Sequence, residues 1–305
     1  MKGIINALDI NASVRDEKQQ NPFWILVKKE IAGHIRSWRF IILLVLIVLT
    51  FWGATAVAMN NIKDTVAKVK DLETLFLYLK LLTTTEGTLP PFHVFLNFLG
   101  PLLGISLGFD GINSEHQNGT LTRIMAQPIY RDNLLLSKFV SSLLLVGTLL
   151  LSLSLLMIGG GMLITGVMIE IEELIRILCF MVLCTVYVGF WLGLSILLSI
   201  VFKQASTSAL TAIGIWLFFT VFYQIVVNIV VTMLTSGAGE LSQMQVMHLN
   251  EMILNILRLA PSQLYADATT TLLMPSVRSL GPVTMEQMAG AIPSPLSIRD
   301  SLLIV

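Results

Sequence analysis

The residues with chemical capacity in this sequence are few and scattered. Its four histidines, His34, His93, His116 and His248, are too far apart for the short spacings of a metal-binding helix. There is no GxxxxGK(S/T) phosphate loop, no HExxH metal helix and no GxSxG elbow. Cys179 and Cys184 match neither a CxxC pair nor a zinc pattern, and they sit in an apolar run where a thiol acts as a small packing residue. Met244, Met247, His248 and Met252 carry ligand types that suit Cu(I), yet the same spacing makes an ordinary apolar helix face. Glu170, Glu172 and Glu173 read as a solvated acidic turn. We therefore expect no catalytic residue and no metal site.

One segment, Asp110 to Lys138, has more to offer. It places Glu115 ahead of a Gly119-Thr120-Leu121 core, with Arg123, Ile124, Met125, Pro128 and Arg131 following. Gly119-Thr120 supplies a turn and a cap, Leu121, Ile124 and Met125 share one helical face, and Pro128 stops the helix. A short amphipathic helix between two apolar segments can dock in a partner's groove and pass force to both of them.

The elements that hold this loop follow from the distribution of charge. Hydrophobic residues make up 55% of the 305, charged residues 12%, and mean hydropathy is +0.81. Soluble domains carry about 25% charged residues, so this chain cannot cover its surface with solvated groups. Five stretches lack any Asp, Glu, Lys or Arg, the shortest 23 residues and the longest 36. Each exceeds the ~20 residues of a spanning helix. We expect an all-α polytopic membrane bundle with spans at about Phe40–Met59, Phe92–Phe109, within Phe139–Ile169, Ile177–Phe202 and Ala209–Met233. Pro101 should kink the second span, and Gly159-Gly160-Gly161 in the third should admit a neighbouring helix or unwind locally.

Around this core the chain divides into residues 1–39, the five-helix domain 40–233 with the loop 110–138, an extracytoplasmic segment 234–300, and residues 301–305, which read as the start of a truncated sixth span. In the first part, Asn21-Pro22 opens a helix whose Trp24, Val27, Ile31, Ile35 and Trp38 form an apolar stripe. Trp24, Lys28, Lys29, Trp38 and Arg39 are the expected anchors of an amphipathic helix lying in the membrane interface. Within 234–300, Leu241–Leu259 and Ser262–Leu273 read as two helices parted by Pro261. The first 20 residues lack the apolar core of a cleaved signal peptide.

Net charge is +0, which excludes the clustered basic surplus of a nucleic-acid binder. With the N-terminus in the cytoplasm, the inner segments carry 11 Lys/Arg against 7 Asp/Glu and the outer ones 8 against 12. That is the asymmetry of the positive-inside rule in a cell (plasma) membrane protein.

The loop's order of residues resembles that of permease subunits of type-two ABC exporters. Their pattern after the second span is an acidic residue, a Gly-Thr-Leu core, a Pro, an Arg and then a Lys. Glu115, Gly119, Thr120, Leu121, Pro128, Arg131 and Lys138 stand at those places. The likeness extends to the leading amphipathic helix and to an outer re-entrant hairpin turning at Leu259-Ala260-Pro261, and it is nearest to permeases of nitrous-oxide-reductase maturation. His116, Gln117 and Asn118 replace more charged residues there.

The resemblance implies an ATP-driven exporter of an amphiphile (lipid, peptide or antibiotic) or of a maturation factor. It also implies a second permease copy and a separate ABC-type ATPase subunit that holds ATP and Mg. Coupling would run through Glu115, Gly119, Thr120, Leu121, Arg123, Ile124, Met125 and Arg131. The missing phosphate loop agrees with that division of labour. The alternative is a membrane scaffold or receptor subunit whose outer segment recruits an extracytoplasmic partner without transport.

Overall fold

The computed structural model describes residues 22–66, 76–83, 89–126, 130–235, 252–275 and 301, all helix or connection, with no strand among them. The labelled helices are α1 (Pro22–Ile35), α2 (Trp38–Val66), α3 (Leu77–Thr83), α4 (Phe92–Gly108), α5 (Asn113–Gln117), α6 (Thr120–Met125), α7 (Arg131–Thr165), α8 (Ile171–Val201), α9 (Ala205–Leu217), α10 (Tyr223–Thr235) and α11 (Pro261–Leu273). Five segments are long and apolar enough to cross a bilayer: Trp38–Asn60, Phe92–Gln117, Asp132–Thr165, Ile171–Val201 and Ala205–Met233. They coincide with the five charge-free stretches. The molecule is a multi-pass membrane protein.

Packing centres on α4 and α8, which run parallel. Gly100, Gly104 and Gly108 recur every fourth residue and so lie on one face of α4. A Cβ on Gly104 would stand 2.6 Å from Val188 O, and one on Gly108 would stand 2.9 Å from Leu192 O. The two backbones therefore approach at a distance only glycine allows, as small residues permit in membranes. This four-residue glycine repeat is visible in the sequence, but the glycine triplet of the third span draws attention first.

Pro101 lies inside α4. Its missing N–H would have bonded the carbonyl of Asn97, and the Tyr187 hydroxyl takes that place, 3.1 Å from Asn97 O and 3.0 Å from Asn97 Oδ1. The glycine triplet stays helical within α7, and a Cβ on Gly161 would meet the Tyr78 ring at 2.7 Å. Gly161 serves close packing, and the triplet does not unwind.

One expectation about charge on the face opposite the Asp110–Lys138 loop is corrected, and a second buried charge stands beside it. Glu173 is buried, not solvated, and accepts the Tyr78 N–H at 2.9 Å, which secures the start of α3. Arg176, just beyond it, is fully buried and bonds Glu172 at 2.8 Å, Leu272 O at 3.3 Å and Ser301 Oγ at 3.1 Å. His93 is a hydrogen-bonded boundary residue, its Nδ1 3.1 Å from Leu82 O. Cys184 is buried and neither cysteine forms a disulfide. Residues 252–257 are helical and α11 opens on Pro261 at its first turn. Met244, Met247, His248 and 302–305 lie outside the described residues, and Met252 is exposed.

Candidate functional site: the loop between the second and third spans

The loop is built outward from the end of α4. Asp110 pairs with Arg39 at 2.6 Å, and the same guanidinium lies over the Phe109 ring at 4.8 Å, so the entry to α2 is fixed to the exit of α4. Next, the backbone N–H groups of Ile112 and Asn113 both reach Ser199 Oγ at the far end of α8, at 3.0 and 3.3 Å. These donors stand at the start of α5, where a helix leaves its first N–H groups without partners.

One turn on, Glu115 points inward and is buried. Its Oε1 receives Lys138 Nζ of α7 at 2.8 Å and lies 3.5 Å from Lys29 Nζ of α1. Lys138 also pairs with Glu30 at 3.0 Å, and its side chain is only 7% exposed. Two carboxylates and two ammonium groups thus tie α1, α5 and α7 together, a balance that lets charges be held out of water. His34, on the same face of α1 as Glu30, stands 3.1 Å from Ser142 Oγ through Nε2. Burial holds the His34 ring below the usual histidine range, against the opposing pull of Glu30, with Lys138 adding to the lowering.

Beyond Glu115 the chain turns outward. Gly119 takes the left-handed conformation at φ +67°, which sets α6 at an angle to α5. Thr120 does not cap α6; its hydroxyl donates to Glu115 O at 3.2 Å, and Thr122 Oγ1 donates to Gly119 O at 2.9 Å. On α6, Leu121 is half-buried while Thr122 and Arg123 are exposed. Ile124 and Met125 belong to α6 and Arg131 opens α7, but their side chains, like residues 127–129 with Pro128, lie outside the described residues.

The sequence-derived anchors divide in two. Trp24, Lys28 and Trp38 are exposed as an interfacial helix requires, whereas Lys29 turns to Glu115 and Arg39 to Asp110. The buried face of α1 shares only Val27 and part of Ile31 with the tryptophan stripe. It is Leu26 and Val27 with Glu30 and His34 partly covered beside them, set against α7. Glu30 and His34 were missed in the sequence. Their signal was a helical spacing of four on the side opposite the exposed Trp24 and Ile35.

A family model described as "ABC-2 family transporter protein" matches residues 24–298. Two similar proteins are named "Probable ABC transporter permease protein NosY". One, from Pseudomonas aeruginosa, is 27% identical over 222 residues, covering 66% of this chain and 68% of the relative. The other, from Stutzerimonas stutzeri, is 27% identical over 218 residues, covering 68% and 69%. The family match takes in all five spans, the loop and α11, and it implies a transmembrane permease subunit that pairs with an ABC ATPase subunit. With apolar helices, a braced loop and this match over most of its length, the chain belongs to the ABC-2 family of transporter proteins.

Proposed function

We propose that α5 and α6 form the cytosolic seat of the ATPase subunit and that Glu115 is the fulcrum through which its movement enters the membrane. One observation carries this reading: Glu115 is buried next to α6, whose Thr122 and Arg123 are exposed, and is bonded to both α1 and α7. A push on α6 is delivered to the spans beside it as well as to α4, with no loose joint between. Leu121, Arg123, Ile124 and Met125 supply the contact surface, Gly119 and Thr120 its angle, and Arg131 the return into the membrane. The N-terminus lies in the cytoplasm of a cell whose plasma membrane holds the complex.

Two permease copies would enclose a path lined by apolar faces of the first, second and fifth spans. The fifth span supports this, since only 11% of its most apolar window is buried within one chain. An apolar path suits export of an amphiphile such as a lipid or peptide.

The test is Leu121→Asp and Gly119→Pro. A proline cannot adopt the positive φ of residue 119, and an aspartate places charge on the docking face. Both variants should insert in the membrane and lose more than tenfold in co-purified ATPase subunit. Undiminished co-purification would contradict the proposal.

A further inference from the structure

The hairpin side of the bundle carries a second polar site, near the rim of the membrane. α11 runs antiparallel to α8: Arg176 bonds Leu272 O, and eight residues along α8 the Cys184 sulfur lies 3.5 Å from Tyr265 Oη. In that register Asp267, where the Arg258 guanidinium binds, stands level with about Val182. The glycine seam sets Gly100 of the parallel α4 beside Tyr187 and Val188, so Val182 is level with about Phe95. At 1.5 Å per residue the carboxylate lies about 5 Å inside the start of α4 at Phe92.

At this depth Arg258 and Asp267 form an ion pair at 3.0 Å, with side chains still 33% and 23% exposed. From the deeper turn the Arg258 side chain reaches outward to Asp267, as long basic side chains do toward a headgroup layer. Arg258 uses only Nε on Asp267, and its Nη groups bond no other described residue. Alongside runs a groove of about 830 Å3 between α8 and α11, within the size range of ligand sites. Its apolar wall includes Leu183, Val186, Phe190 and Leu264, of which Val186 is 63% and Phe190 53% exposed. The other polar side chains in the wall are engaged: Tyr187 with Asn97, Tyr265 with His93 O, and Thr271 with Asp267 O.

We infer that this groove holds a phospholipid with a zwitterionic amine headgroup, drawn from the leaflet on the hairpin side. The acyl chain lies along Leu183, Val186 and Phe190, whose neighbours in a bilayer are hydrocarbon. The Nη groups of Arg258 take the phosphate, a fork that matches its oxygens. Asp267, which holds that fork in place through Oδ2 and accepts Gln263 Nε2 on Oδ1 at 2.8 Å, offers the second lone pair of each oxygen to the ammonium. A salt bridge at the membrane rim is thus completed by a ligand of the same alternating charge, its headgroup outward and its acyl chain inward. The site is on the fourth span, away from the apolar path proposed for substrate, and acts as a bound lipid bracing the hairpin.

The experiment uses the full chain co-purified with its ATPase subunit in mild detergent, stripped of lipid and titrated with palmitoyl-oleoyl phosphatidylethanolamine. Native mass spectrometry counts the lipid retained per chain. One tightly held lipid is expected, with about tenfold weaker retention in Arg258→Gln. Val186→Trp, an exposed position whose enlargement fills the groove, should lose retention similarly even if Arg258→Gln fails to assemble. Equal retention in wild type and Val186→Trp would overturn the inference. So would a disulfide between two copies of a Val186→Cys variant, which would place a second chain in the groove.

Discussion

Lys138 is the residue on which the loop's charge balance turns, because it alone contacts both Glu30 and Glu115 within 3.0 Å. Lys138→Met would leave two mostly buried carboxylates facing each other with only the more exposed Lys29 nearby. Removing one member of a buried pair costs about 3–5 kcal/mol, so the variant should unfold at markedly lower temperature. Adding Glu115→Gln should restore part of the loss, and a melting curve in detergent reads both. His34 gives a second handle. Its folded pKa is lowered from 6.5 by burial, so the neutral ring is favoured in the fold. The associated stability is complete above about pH 6.5 and is lost as pH falls through the folded value. Stability measured downward from pH 7 should therefore decline less steeply in His34→Gln than in wild type.

Among the elements, α4 and α8 are joined by a glycine seam that tolerates no added carbon. Gly104→Ala would place its Cβ against the Val188 carbonyl and should destabilise by about 1–3 kcal/mol through overpacking. Gly159→Ala, where nothing lies within 4 Å, should be neutral or slightly stabilising. Comparing the two melting temperatures separates seam geometry from helix propensity. All five spans were legible in the sequence, because a lipid-facing helix needs a long charge-free run and little else. What was hidden is the pairing of charges across distance. Glu173 reads as solvated because Tyr78, 95 residues earlier, supplies its partner only in the fold. Likewise Lys29 reads as an interfacial anchor until the chain brings Glu115 to it.

At the scale of the whole molecule, the structure joins a membrane bundle to one short helix, α6, on the face where α1, α2, α4, α5, α7 and α8 converge. Ion pairs link α1, α5 and α7, Arg39 with Asp110 links α2 to the end of α4, and Ser199 receives the loop from α8. The order of residues in the loop made its outline readable, with Gly119 at the turn as expected. The clamp beneath it was not readable, since Glu30 and His34 belong to a separate helix. The opposite face has its own lock in Arg176, which binds α11 and Ser301 to α8.

The most direct measurement is site-directed cross-linking in the assembled complex, with a thiol-linked photoreactive group at Arg123→Cys on α6 and, separately, at Leu259→Cys in the hairpin turn. Both positions are exposed. A covalent product with the ATPase subunit is expected from position 123 and none from position 259. An ATPase that co-purifies with the chain yet is captured only from position 259 would contradict it.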